Sequence, residues 1–204
     1  MDKLLFVCLF LIILIGCRNI PDIKSTNDRT TVPIDSLFKY ASDSGIIAAE
    51  IHSDTLEIIS TSLTTYYPYG NFSNIKELHD RYPFLKIETE SQFPYKDSTM
   101  LPDTIYILSS NGNQLKLFLE PELKLLQIVS GNIINREIPQ INEVSVGMRK
   151  VDFIHSYFSK LPEGYENINV VEMEAALTGI WHYYNFSQDK LSNIIYISDY
   201  QYNL

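Results

Sequence analysis

Cysteine is nearly absent from this sequence. Both thiols, Cys8 and Cys17, lie within the first 17 of 204 residues. The rest of the chain therefore cannot form a disulfide, a thiolate zinc site or a cysteine nucleophile. Its stability has to come from apolar burial and hydrogen bonds, and a hydrophobic content of 45% supplies enough apolar side chains for a packed core.

Positive charge is also scarce. Lys and Arg total 16 against 25 Asp and Glu, which gives a net charge of −9 at pH 7. Nucleic-acid binding depends on a basic surface that neutralises phosphates, so we expect no nucleic-acid partner. An acidic surface is likewise repelled by anionic lipid, so attachment to a membrane would require a separate anchor.

Recognisable catalytic motifs are missing. The chain has four histidines: His52, His79, His155 and His182. None of them pairs at metal-ligand spacing, and the sequence has no phosphate-binding loop, dinucleotide fingerprint or G-x-S-x-G turn, so we expect no metal and no cofactor. Two carboxylate pairs remain: Glu88 with Glu90, and Glu172 with Glu174. Their spacing is typical of one solvated strand face, and a hydrolase that uses them as acid and base is the alternative.

No apolar run is long enough for a transmembrane helix. The run from Leu4 to Ile15 has about twelve residues, whereas a bilayer requires about 20. A charged residue at Lys3, this short apolar run and the small Gly16 are the parts of an export signal.

The residues Leu14-Ile15-Gly16-Cys17 resemble the lipobox of bacterial lipoproteins. The resemblance implies that residues 1–16 are a signal peptide and that Cys17 carries acyl chains, palmitate among them, which hold the protein on a lipid bilayer. Residues 17–33 are polar and would form a lipidated N-terminus and flexible tether. The Asn, Ile, Lys and Tyr content suits Bacteroidota, whose surface lipoproteins share an acidic run after the Cys. That run is absent here, which favours a periplasm-facing anchor on the outer membrane.

Periodicity and turn residues predict short helices and antiparallel strands. We expect helices at 34–43, 74–82 and 151–158. The second has the spacing of a capping box at Asn74 and Glu77. Strands are predicted at 46–51, 56–60, 104–109, 114–119, 123–130, 168–174, 179–186 and 191–198. Asn111-Gly112 indicates a tight hairpin, and Leu115, Leu117 and Leu119 are expected on one buried face.

Two segments align at a fixed offset of 76 positions. The matched pairs are Ile75 with Val151, Leu78 with Ile154, His79 with His155, and Tyr82 with Phe158. The apolar stripe of the first helix would consist of Ile75, Leu78 and Tyr82. That of the second would consist of Val151, Ile154 and Phe158. The fold class is therefore predicted as α+β, with short helices on antiparallel sheet and two tandem helix-plus-meander units at 34–142 and 143–204. One continuous domain and a chance alignment are the alternatives.

The segment Val144-Ser145-Val146-Gly147-Met148 resembles a motif of small envelope proteins, in which a short strand meets Gly-Met and opens a helix. Families that share it include the BamE-like outer-membrane assembly lipoproteins and the β-lactamase inhibitor proteins. The resemblance implies helices on one face of an antiparallel sheet, and in the inhibitors a tandem duplication.

Aromatic residues are plentiful, with 14 Tyr, 10 Phe and one Trp. Trp181 and Tyr183 share one face of their predicted strand, and Tyr196 and Tyr200 share a face of the next. If helices cover one sheet face only, these four side chains could form a binding surface on the other, and burial in the core is the alternative.

These patterns favour a membrane-anchored envelope lipoprotein that is not an enzyme and binds an unidentified protein. An inhibitor or immunity-type lipoprotein of the periplasm is a narrower form of this hypothesis. A carboxylate-dependent hydrolase and a purely structural envelope component are the alternatives.

Overall fold

One β-sheet runs through the part of the chain that the structure describes. The structure is a computed structural model, and it describes residues 45–92, 103–176 and 178–200. The strands are β1 (Ile46–His52), β2 (Thr55–Ser60), β3 (Lys86–Gln92), β4 (Asp103–Ser110), β5 (Asn113–Glu120), β6 (Leu125–Ile133), β7 (Val170–Ala175), β8 (Ile180–Ser187) and β9 (Lys190–Ser198). Their order across the sheet is β1-β2-β7-β8-β9-β6-β5-β4-β3. Neighbours are antiparallel except β2 and β7, which run parallel.

Three short helices accompany the sheet within the described residues. They are α1 (Leu63–Tyr66), α2 (Ile75–Arg81) and α3 (Lys150–Tyr157), and a 3-10 turn follows at Tyr165–Asn167. The predicted class is thereby confirmed in its coarse form, a mostly antiparallel sheet with few helices. The predicted helix at 34–43, the signal peptide and the tether lie outside the described residues.

The start of α2 follows from its capping residues. The side chain of Asn74 accepts a hydrogen bond from the Glu77 backbone N–H at 3.0 Å. The Glu77 carboxylate reaches back to accept from the backbone N–H of Ser73, at 2.8 Å, one residue earlier than the predicted capping box requires. Leu78 and Tyr82 are buried and Ile75 packs at the edge of the core, as the predicted stripe required.

Two of the hairpins, β4–β5 and β8–β9, have tight turns with two positive φ angles. Asn111 and Gly112 have φ angles of 46° and 86°, so both adopt the left-handed conformation that the predicted turn needs. Gln188 and Asp189 have φ angles of 50° and 58° and join β8 to β9 in the same way. The right-handed twist of paired strands favours turns with two positive φ values.

The helices pack on one face of the sheet. Leu78 of α2 and Phe153 and Ile154 of α3 are buried in one cluster with sheet residues. The sheet residues of that cluster include Leu56, Ile58, Leu108, Leu115, Val171, Tyr184, Ile194 and Tyr196. Each side chain buried in this way contributes roughly 1.5–3 kcal/mol, so this cluster is the main source of stability. We call the opposite side the open face.

Two predicted apolar stripes differ in part from the structure. On β5, Leu115 and Leu117 are buried, but Leu119 is 39% exposed near the strand end. Phe118 is buried instead, on the open face, where it clusters with Ile105 and Val129. On α3, Ile154 and Phe158 are buried as expected, whereas Val151 is half-exposed and Phe153 and Tyr157 enter the core. The face that α3 buries is thus rotated from the predicted one.

Residues 144–148, before α3, form a loop, whereas the motif that they resemble has a short strand there. Gly147 has a φ of +93°, and its N–H donates to the Leu191 carbonyl at 2.7 Å. The Leu191 N–H donates in turn to the Met148 carbonyl at 2.8 Å. The loop satisfies these main-chain groups against β9 and therefore needs no strand of its own.

Candidate binding surface

Trp181 and Tyr183 lie on the open face of β8. Side chains alternate along a strand, and their neighbours His182 and Tyr184 point the other way and are buried. Both rings are half-exposed. The structure thus places these two predicted site residues side by side on the open face.

Carboxylates and aliphatic side chains flank the two rings. Across the ladder with β7, Glu174 pairs with Trp181, and Glu172 pairs with Tyr183. Across the ladder with β9, the partners are Ile197 and Ile195. Side chains directly opposite on one face lie about 4.5–5.5 Å apart at Cβ. We call these six residues the aromatic–acidic surface: Glu172, Glu174, Trp181, Tyr183, Ile195 and Ile197.

More carboxylates continue the surface onto β2 and β1. Glu57 of β2 is the partner of Glu172, and Glu50 of β1 is the partner of Glu57. His52 Nε2 lies 3.1 Å from a Glu50 oxygen and 3.6 Å from a Glu57 oxygen. Three adjacent strands therefore carry four carboxylates and one imidazole on the same face.

The carboxylates affect one another. Partial burial raises the pKa of Glu172, and the charges of Glu57 and Glu174 raise it further. Partial burial also raises the pKa of Tyr183, and the charge of Glu172 adds to the effect. A cation placed among these groups would lower the repulsion.

Tyr196 is on the other face, so its predicted place on the open face is wrong. Its side chain is 1% exposed, and its hydroxyl lies 2.8 Å from that of Tyr69. The cause is a β-bulge: Asn193 pairs with Asn185 and Leu191 with Phe186, which leaves Ser192 as an extra residue in β9. Beyond this bulge the faces of β9 are exchanged, which brings Ile195 and Ile197 beside the rings in place of Tyr196.

Tyr200 lies beyond the end of β9. Its ring packs edge-on against Phe118, with centroids 4.6 Å apart, in the small cluster on the β4–β6 part of the open face. The structure therefore brings together two of the four predicted residues, Trp181 and Tyr183. The sequence analysis missed Ile195 and Ile197, and only the position of the bulge would have revealed them.

A buried polar network lies beneath the surface. The Gln140 side-chain amide donates to the hydroxyls of Tyr184, at 3.1 Å, and Tyr196, at 2.7 Å. His182 Nδ1 lies 3.1 Å from the Tyr184 hydroxyl. Burial lowers the pKa of His182 to about 3 and raises the pKa of Tyr184 and Tyr196, so all three are uncharged at neutral pH. Such a network holds the backbone beneath Trp181 and Tyr183 in one arrangement.

The other carboxylate pair is neutralised by lysines. Glu88 on β3 forms an ion pair with Lys86, and Glu90 lies 3.5 Å from Lys116. Glu88 and Glu90 are on the open face, at the edge of the sheet away from the aromatic–acidic surface. Each glutamate pair thus shares a strand face, as predicted, but the surroundings of the two pairs differ.

The four histidines lie in different parts of the fold. His79 and His155 are exposed on their helices, His52 is on β1 and His182 is buried. Within residues 45–92, 103–176 and 178–200, no group of three or more His, Cys, Asp and Glu side chains is arranged to hold a metal ion.

None of the helices in the described ranges combines the length and apolar character needed to cross a membrane. Comparisons of the chain with protein-family models, with curated proteins and with solved structures find no match.

Proposed function

We propose that this chain is a membrane-anchored envelope lipoprotein whose aromatic–acidic surface binds another protein. The apolar run, Gly16 and Cys17 support the anchor, and the acidic composition agrees with attachment through lipid rather than through the protein surface. In this proposal the acyl chains keep the domain on the periplasmic side of the outer membrane.

The half-exposed aromatic pair on a rigid sheet carries the binding proposal. Trp and Tyr dominate the energetic centres of protein interfaces, because they offer large contact areas with few rotatable bonds. Ile197, the neighbour of Trp181, is 50% exposed, which extends the apolar area. The buried network beneath fixes the geometry, so little entropy is lost on binding.

In-cell photocrosslinking tests the proposal. A photoreactive phenylalanine at position 183 of the full chain is expected to form a covalent adduct with one partner protein, and Trp181→Ala is expected to abolish it. The matched control is the same probe at Ser109, a half-exposed position on the open face of β4. Equal adducts at both positions, or none at 183, would contradict the proposal.

An inhibitor or immunity-type lipoprotein is the narrower form of this proposal. The identity of the crosslinked protein decides it, since this form requires the partner to be an enzyme of the periplasm. Inhibition of that enzyme by the full chain would support the narrower form.

One observation also favours the hydrolase. The raised pKa of Glu172, beside two further carboxylates, is a property that a general acid of a glycosidase needs. Incubation of the protein with purified cell-wall glycan decides between the protein-binding function and the hydrolase. The binding proposal predicts no release of soluble fragments, and release that is lost in Glu172→Gln would support the hydrolase.

We also propose that the two helix–hairpin segments are tandem copies. At the offset of 76, buried Leu108 corresponds to Tyr184 and buried Leu115 to Leu191. In the two sequence segments, a helix precedes a hairpin whose turn has two positive φ values. Sequences of related chains test this, because a common origin predicts relatives in which the two segments are more alike, and unrelated segments throughout would contradict it.

A further inference from the structure

The glutamates of the aromatic–acidic surface have no basic partner among the described residues. Neither Glu172 nor Glu174 lies within 4.0 Å of a Lys or Arg nitrogen in the described ranges. On the neighbouring strands, the ion-pair partner of Glu50 and Glu57 within those ranges is His52. At β3 the equivalent pair is matched by Lys86 and Lys116. The excess negative charge therefore belongs to the β1–β2–β7 part of the open face and not to the sheet as a whole.

The aromatic rings next to these carboxylates add a second attraction for a cationic group. Trp181 is opposite Glu174, and Tyr183 is opposite Glu172. A guanidinium group can lie flat on an aromatic ring while its N–H groups donate to a carboxylate at the ring's edge. Lysine would satisfy the charge, but it cannot form this planar two-part contact as well.

The aliphatic side of the surface suits the remainder of a peptide rather than a free ion. Ile195 and Ile197 present apolar area on the side of the rings away from the glutamates. A protein segment that combines arginine with apolar side chains would match both sides at once. Its positive charge would also speed its encounter with a chain whose net charge is −9.

We infer that the partner presents an arginine-bearing segment, whose guanidinium groups bind between the rings of Trp181 and Tyr183 and the carboxylates of Glu172 and Glu174. This inference rests on the proposed function, since it names the chemistry of the partner at the same surface. The partner is a basic protein segment, not a lipid or a metal.

A peptide titration tests the inference directly. Trp181 is the single tryptophan of the chain, so its fluorescence reports on this surface alone. Full-length protein in nonionic detergent is titrated with an oligoarginine peptide, and with an oligoglutamine peptide of equal length. A saturable change in emission is expected with oligoarginine only, and its apparent affinity should fall as salt concentration rises.

Matched glutamate variants give the specificity. The double variant Glu172→Gln, Glu174→Gln is expected to bind oligoarginine at least about tenfold more weakly. The control, Glu88→Gln with Glu90→Gln, removes the same charge at the same spacing on the same sheet face and should bind as the unaltered chain does. Circular dichroism checks that both variants remain folded.

Equal affinity in the two double variants, or no saturable response to oligoarginine, would overturn the inference. The photocrosslink at position 183 distinguishes failure of the arginine inference from failure of the proposed binding function. An adduct without an oligoarginine response means that the surface binds a partner of different chemistry, whereas loss of the adduct removes the binding function itself.

Discussion

The buried side chain of Lys150 holds two loops in place. Lys150 is 4% exposed, yet its Nζ donates to the carbonyls of Glu166, at 2.7 Å, and Ile168, at 3.0 Å. It also lies 2.9 Å from a carboxylate oxygen of Asp189, in the turn between β8 and β9. One cation therefore ties the start of α3 to two loops. The sequence did not reveal this, because a lysine at a helix start usually faces solvent.

His182 predicts a pH dependence of stability. Its pKa is about 3 in the folded protein, against an ordinary value of 6.5 in the unfolded chain. Below pH 6.5 the unfolded chain therefore binds the extra proton first, so stability is complete above this pH and is lost as the pH falls towards 3. The loss should approach about 1.4 kcal/mol per pH unit in that window.

Urea unfolding between pH 7 and pH 4 measures this effect. The comparison is with His182→Asn, whose amide keeps a polar group near the position of Nδ1 and does not titrate. The variant should be less stable at pH 7 because its side chain is smaller, but it should lose less stability on acidification. An equal loss in both proteins would contradict a neutral, buried His182.

At the scale of strands and helices, local signals were predictive and non-local ones were not. The cap at Asn74 and the turn at Asn111-Gly112 depend on a few adjacent residues, and both form where the sequence indicated. The parallel pairing of β2 with β7 joins residues more than a hundred positions apart, and no local pattern encodes it. The same holds for the loop before α3, where Gly147 and Met148 exchange hydrogen bonds with Leu191.

The composition of the candidate site was half predictable for a related reason. Alternation in β8 is uninterrupted from Trp181 to Asn185, so the faces of Trp181 and Tyr183 follow from the sequence. In β9 the extra Ser192 exchanges the faces. If Ser192 instead paired with Asn185 in a regular ladder, Trp181 would stand opposite Tyr196. A bulge of this kind leaves little trace in the sequence, since any polar residue can occupy it.

Deletion of Ser192 tests this account of the register. Removal of the extra residue leaves Leu191 opposite Phe186 and Asn193 opposite Asn185 in regular alternation. Ile194 and Tyr196 should therefore stay in the core, and we expect the free energy of unfolding to fall by no more than about 1 kcal/mol. The control is Ser192→Ala, which keeps the residue count and loses the hydrogen bonds from the hydroxyl to the Asn185 carbonyl, at 2.8 Å, and to Asn193 Oδ1, at 3.3 Å. That variant should lose about 1 kcal/mol. A loss of several kcal/mol in the deletion variant, far above that of Ser192→Ala, would show that Ser192 is not the extra residue that sets the register.

At the scale of the whole molecule, the proposed anchor and the binding surface are separable. Cys17→Ser should prevent acylation, so the chain is expected in the soluble fraction instead of the membrane fraction. Mass spectrometry of the unaltered, membrane-extracted protein should give an acylated N-terminus at Cys17. An unmodified chain that begins at Met1, with Cys17 free, would exclude the lipoprotein proposal and leave the fold unaffected.

The central claim is that Trp181 and Tyr183 form the energetic centre of a protein interface. The most direct measurement is the affinity of the full chain for the partner captured at position 183, with and without Trp181→Ala and Tyr183→Ala together. We predict that the double variant binds at least about a hundredfold more weakly, because two central aromatic side chains are lost. Ile107→Ala, which alters a half-exposed side chain on the open face of β4, should bind as the unaltered chain does. Unchanged affinity in the double variant would contradict the account.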